Sequence, residues 1–184
     1  GVMFDKKTYT AGMYSATASR DEVSSYSVDE FMYFIKGGVT LTSADGTVTQ
    51  VNAGDAVYIQ KGWKGVWDTP GYTKYYVIYD LAASLAVARA PHPVKVTAAD
   101  PGALATPDTK TNDRGNGRVS KDRLMGESAD KKFNAGIYSA TASRFTSQGY
   151  AVDEFMYFIK GGVTLTSEDG TVTQVDAGDA VFLP

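Results

Sequence analysis

The chain has 184 residues, with 18 Lys and Arg against 21 Asp and Glu, a formal net charge of −3, one histidine and no cysteine. The lack of cysteine excludes disulfides, cysteine–zinc sites, thiolate nucleophiles and iron–sulfur clusters, and near-neutral charge without a basic run argues against a nucleic-acid binder. No window approaches the roughly 18 consecutive apolar residues of a membrane span, and the opening GVMFDKKTYT lacks the layout of a secretory signal, so the expected location is cytoplasmic and away from membranes.

In chain order, YSATASR (14–20) reads as a strand ending on Arg20. EFMYFI (30–35) is apolar on both faces, as suits a strand covered on both sides. VTLTS (39–43) and TVTQV (47–51) alternate apolar residues with threonine around Ala44-Asp45-Gly46, and the Asp-Gly pair supplies the positive φ that a hairpin turn needs. AGDAVYI (53–59) is a Gly-Asp turn running into a strand, and KYYVIY (74–79) is another. Helical periodicity appears nowhere in this stretch. Beyond it, LAASLAVARA (81–90) is Ala-rich enough for a short helix, and residues 91–118 collect Pro, Gly and polar breakers around VKVT (94–97), a short strand in a surface linker.

The chain then repeats itself. GMYSATASR (12–20) returns as GIYSATASR (136–144), DEFMYFIKGGVTLTS (29–43) returns unchanged at 153–167, and DGTVTQV (45–51) returns at 169–175, always at an offset of 124. Between 12–60 and 136–184, 37 of 49 positions are identical, so two copies of one domain are present. The expected organisation is a first domain over 1–80, a linker over 81–117 and a second domain over 118–184. The second copy stops at Pro184, short of the counterparts of 61–80, so the chain is expected either to be part of a longer one or to borrow strands from a neighbouring subunit. Many short strands at close spacing imply a sandwich or small barrel.

The string EFMYFIKGG, an Asp-Gly hairpin and then AGDAVYI-x-x-GWKG-x-W resembles the cupins, in particular the subgroup holding ureidoglycine aminohydrolase-type and ethanolamine-utilisation-type domains. The likeness runs from about Ala11 to Asp80 and from Ala135 to Pro184. It implies an all-β fold of two tandem cupin jelly-roll β-sandwich barrels, a bicupin whose copies pack about a pseudo-twofold axis. It also implies a divalent metal on two histidines and a glutamate of one motif and a histidine of a second. The glutamate falls on Glu30 and Glu154. The paired histidine positions fall among Val23, Ser24, Ser25 and Tyr26, and among Ser147, Gln148, Gly149 and Tyr150, and the second-motif histidine on Gly65. None of these is histidine. Metal sites of this kind lean on imidazole, so neither a metal nor another cofactor is expected.

Candidate ligand-binding residues follow from residue type and placement. Glu30 shares a strand face with Met32 and Phe34, where a carboxylate needs a partner; it is read as a binding or acid–base group, or as one half of a salt bridge with Arg20 or Lys64. Glu154 repeats it. Asp29 and Asp153 point the other way and are expected at the surface or an interface. Arg20 and Arg144 close a strand in each copy and could fork onto an anion, or pair with Glu30 and Glu154. Tyr14, Tyr26, Trp67 and, in the second copy, Tyr150 could stack on a small ring or sugar, or simply fill the core with Tyr33 and Trp63. Lys64 lies in Gly-Trp-Lys-Gly, which is no phosphate loop. His92, in Ala-Pro-His-Pro, reads as an exposed linker residue rather than a base, and no Ser-His-Asp set exists.

The expected function is therefore binding of a small polar or anionic ligand in the barrel without a transition metal, by a homodimer, with any catalytic residue unknown. Two alternatives stay open: a metal-dependent cupin enzyme with ligands beyond Pro184, and a pair of structural domains serving oligomerisation.

Overall fold

The computed structural model describes residues 1–6, 8–80, 92–97, 100–115 and 117–184. Residues 81–90, expected as a short helix, lie outside the described residues. The chain divides into two compact units, Gly1–Ser143 and Arg144–Pro184. Among the described residues, no helix is long and apolar enough to cross a membrane.

The first unit is built on β1 (Val2–Lys6), β2 (Tyr9–Val23), β3 (Asp29–Ser43), β4 (Val48–Asn52), β5 (Asp55–Ile59), β6 (Gly65–Tyr79) and β7 (Val94–Thr97). They form one antiparallel sheet in the order β1-β2-β6-β3-β5-β7, with β4 also on β3, curled into a jelly-roll barrel. The central strand β3 pairs with β6 over nearly its whole length, its first half also with β5 and its second half with β4. Its first half, residues 30–34, is covered on both edges and largely on both faces, as that apolar run suits, whereas residues 35–37 are exposed. The barrel closes on Met32, Phe34, Val39, Leu41, Val51, Val57, Ile59, Trp63 and Trp67. Each aliphatic or Phe side chain fully buried there contributes about 1.5–3 kcal/mol over an exposed one. Trp63 satisfies its indole N–H on Ser43 Oγ at 3.0 Å.

The Asp45-Gly46 turn forms as its sequence demands: Gly46 has φ 87° and Thr47 N donates to Asp45 Oδ1 at 3.0 Å. Asp45 also faces His92, whose Nε2 lies 2.8 Å from Oδ2, so the lone histidine sits against the β3–β4 hairpin and not in the barrel. The expected strand VKVT is β7. It pairs with β5 through Asp55↔Thr97 to Tyr58↔Val94 and buries Val96.

A second sheet of the same unit holds β8 (Lys110–Asp113), β9 (Val119–Glu127) and β10 (Asn134–Ala140) in the order β10-β9-β8. The turn after β9 packs on the outer face of the barrel. Phe133 inserts between Tyr9, Tyr58 and Tyr79, with ring centroids at 6.1, 6.2 and 5.6 Å. Tyr79 Oη donates to Asp130 at 2.8 Å, and a Cβ on Gly126 would stand 2.1 Å from the Tyr58 ring, which explains glycine there.

Asp29 corrects an expectation. It does point away from Glu30, but it is buried beneath this layer rather than at the surface, and its Oδ1 accepts from Tyr58 Oη at 2.8 Å and Lys61 N at 3.2 Å. Burial pushes its carboxyl above the usual carboxylate range by more than those hydrogen bonds pull it back. Such a group binds its proton more tightly folded than unfolded. Its ionisation therefore costs stability as pH rises through the carboxylate range, and the full cost is present at neutrality. Asp29→Asn keeps an acceptor oxygen for both bonds and removes the charge. Its Tm should exceed the parent's at pH 7, with the gap closing towards pH 4; parallel Tm profiles would show that the ionised form carries no penalty.

The second unit contains two hairpins, β11 (Glu154–Tyr157) with β14 (Ala180–Leu183) and β12 (Gly162–Thr166) with β13 (Val172–Asp176). Its local bonds copy the first barrel at the same offset. Thr164 Oγ1 donates to Gln174 at 2.5 Å as Thr40 does to Gln50 at 2.6 Å, and Asp176 N donates to Asp179 as Asn52 N does to Asp55, both at 2.9 Å. The expected strand up to Arg144 is shorter than in the first copy. β2 runs past Arg20 because β6 pairs with it to Val23, whereas β10 stops at Ala140, where its partner β9 begins.

Candidate functional site

Along the second half of β6, Tyr72, Lys74 and Tyr76 turn inward, while Val77 and Tyr79 turn to the opposite side. Lys74, opposite Phe34 in the register, therefore projects into the barrel and reaches along it to Glu30, which β3 presents from its start. Lys74 Nζ donates to Glu30 Oε1 at 2.8 Å, and the two side chains are 6% and 5% exposed. Tyr26, from the loop between β2 and β3, donates its hydroxyl to Glu30 Oε2. Nζ also lies 2.8 Å from Met32 Sδ, 5.3 Å from the Trp67 ring centre and 5.4 Å from that of Tyr72.

The aromatic walls hold each other. Tyr26 stacks on Trp67 with an interplanar angle of 8°, and Tyr72 meets Phe34 edge to face at 5.3 Å. Burial raises the Tyr26 phenol well above its ordinary value, reinforced by the adjacent Glu30 charge, so it stays protonated and donating. Burial, helped by Glu30, pushes Tyr72 up to about 12. Above this floor opens a cavity of about 280 Å³ lined by Tyr14, Ala16, Ser19, Asp21, Val23, Tyr26, Trp67, Tyr72 and Lys74. Lys74 and Tyr26 on its lining both bond Glu30 behind them, four aromatic rings face it, and Ser19 and Asp21 add polar groups.

The family model for the EutQ-like cupin domain matches residues 5–76 and 127–184, one segment for each copy of the repeat. The chain belongs to the EutQ-like cupin family. Solved structures agree on the fold. A protein of unknown function of the DUF861 family from Pseudomonas syringae superposes with a TM-score of 0.77 at 21% identity, covering 99% of this cupin and 76% of the other chain. A putative glyoxylate-induced protein from Pseudomonas aeruginosa reaches 0.59 at 11% identity over 100% and 70% of the chains. A cupin 2 conserved barrel domain protein from Leptotrichia buccalis reaches 0.55 at 10% over 100% and 77%. No functionally curated protein matches the chain.

Of the residues the sequence marked in this EutQ-like cupin, the barrel brings Tyr14, Tyr26, Glu30 and Trp67 together. It does not bring in Arg20 or Lys64. Arg20 pairs with Asp68 across the β2–β6 register with its side chain 67% exposed, and Lys64 is exposed in the turn before β6, so Glu30's partner is neither of them. In the second unit, Tyr150 donates to Glu154 and repeats the Tyr26–Glu30 pair, while Arg144 is exposed beyond the end of β10. Sequence reasoning missed Lys74 and Tyr72. The available signal was a lone charge at the head of the run KYYVIY, on a strand otherwise given to the interior.

The metal implied by the wider cupin fold does not fit this site. Both oxygens of Glu30 are engaged, one by an ammonium and one by a phenol, and the donors beside them are a thioether and ring faces. Among the described residues, no three His, Cys, Asp or Glu side chains gather where they could hold an ion.

Proposed function

We propose that the first barrel of this EutQ-like cupin binds a small polar ligand, neutral or anionic at its buried end, without a transition metal. One observation carries the reading: Lys74 Nζ stands against the glutamate that the cupin resemblance assigns to a metal, 2.8 Å from it, at the floor of an aromatic-walled cavity. The ammonium supplies a fixed positive charge where a ligand oxygen can meet it. Trp67, Tyr72 and Tyr14 offer flat apolar surface to the rest of the molecule, and Ser19 and Asp21 offer polar contacts at the mouth. The group is largely preformed by its own hydrogen bonds, which lowers the ordering cost of binding.

Two measurements test this. Protein purified from medium supplemented with Mn, Fe, Ni and Zn should carry far less than one metal per chain by mass spectrometry; stoichiometric metal would overturn the metal-free reading. A panel of small polyols, amides and carboxylates should contain members that raise Tm at saturation. Tyr14→Ala should remove most of that shift while costing the free protein under about 1 kcal/mol, because Tyr14 is 53% exposed and lines the cavity.

A further inference from the structure

We propose that Lys74 is an imine-forming lysine, and that the ligand of the first barrel is a small hydroxylated aldehyde or ketone held covalently on its Nζ. This rests on the ligand-binding reading above and names the ligand class. An ordinary surface lysine is protonated and does not attack a carbonyl; a lysine becomes a nucleophile when it is desolvated next to a group that takes its proton. Lys74 meets both conditions. It is 6% exposed, and Glu30 Oε1 lies at hydrogen-bond distance, so the proton moves directly without a relaying water. Tyr26 holds the other oxygen of Glu30 and so aims Oε1 at Nζ. Lys74 is among the residues lining the open cavity, so a carbonyl compound held there lies against its side chain.

The step balances within the site. Nζ passes one proton to Glu30, and its lone pair bonds the carbonyl carbon while the C–O π pair moves to oxygen. A proton shifts from nitrogen to that oxygen, giving a carbinolamine. The nitrogen lone pair then expels the hydroxyl, which takes the proton from Glu30 and departs as water. Carbonyl and ammonium become protonated imine and water, with no oxidant or reductant. The product is again a cation beside a carboxylate and two ring faces, so the contacts that hold the ammonium also hold the iminium. Because Glu30 already matches the Lys74 charge and Asp21 stands on the lining, a neutral hydroxylated carbonyl compound suits the cavity better than an acid.

The whole chain is incubated with dihydroxyacetone, and separately with glycolaldehyde, in the presence of sodium cyanoborohydride, then peptide-mapped by mass spectrometry. One reduced adduct per chain is expected on Lys74, forming at least tenfold faster than on any exposed lysine. Glu30→Gln should slow it at least tenfold, and Lys74→Arg should give no adduct in the cavity. The map of the unsubstituted protein is decisive even where a variant folds poorly. Labelling of Lys74 no faster than of exposed lysines overturns the imine. If the same carbonyl compounds still change tryptophan fluorescence without reductant, the binding reading survives that failure; if neither they nor the ligand panel perturb fluorescence or Tm, both readings fall.

Discussion

Lys74→Met should lower the unfolding free energy of the first barrel by about 3–5 kcal/mol, because it leaves an uncompensated buried carboxylate. Methionine approximates the lysine stem in length, so little of the loss is a cavity. The cost falls on Glu30, 5% exposed in its side chain, which would keep only the Tyr26 hydroxyl. Removing both charges is a different matter, since well-packed neutral replacements of a buried pair are often neutral or stabilising. The double variant Lys74→Met, Glu30→Gln should therefore recover most of the loss. Urea denaturation followed by tryptophan fluorescence across the four proteins gives the coupling directly. A single variant within about 1 kcal/mol of the parent would mean that water already screens the pair.

That pair also shows where the sequence stops being informative. Period-two alternation placed Glu30 inward with Met32 and Phe34, and the Asp-Gly dipeptides placed both hairpins, because each depends on residues close in the chain. The repeat at an offset of 124 carries Tyr26 and Glu30 over to Tyr150 and Glu154, and both copies form the same Tyr–Glu pair, which the sequence reading had not foreseen. The partner of Glu30 depends instead on how β6 lies beside β3: Ile78 stands directly opposite Glu30, and Lys74, opposite Phe34, reaches along the barrel interior to the carboxylate. No local pattern encodes that reach. Arg20 was drawn away for the same reason: β2–β6 pairing sets it directly opposite Asp68. The burial of Asp29 was equally hidden, since it comes from Tyr58 on β5 and from the layer after β9, about a hundred residues downstream.

Phe133→Ala should cost about 3–5 kcal/mol, a loss typical of deleting a buried aromatic ring. Phe133 is 7% exposed, and its ring lies nearly parallel to Tyr79, at 17°, and edge-on to Tyr9, at 65°. Tyr9 is its own counterpart in the repeat at the offset of 124, so the two copies of one position meet here. Its backbone is fixed as well: Phe133 N donates to Ser128 Oγ at 3.0 Å, and its carbonyl accepts from Ser128 N at 2.8 Å. Removing the ring opens the slot against the barrel and uncovers Tyr58 and Tyr79. A structural readout separates this from a merely looser core. Burial, together with the hydrogen bond to Asp130, pushes the Tyr79 phenol up to about 12. Once hydrated, it should ionise nearer the ordinary value of about 10, so alkaline absorbance titration of Phe133→Ala should show at least one phenol, that of Tyr79, moving from the late group to the normal one. Phe133→Leu, which keeps most of the buried apolar surface, should lose less stability and leave the late phenol in place. If Phe133→Ala unfolds at the parent's urea midpoint with its phenol titration unchanged, then the layer after β9 adds nothing to the barrel, and the raised phenol of Tyr79 must come from the barrel's own packing.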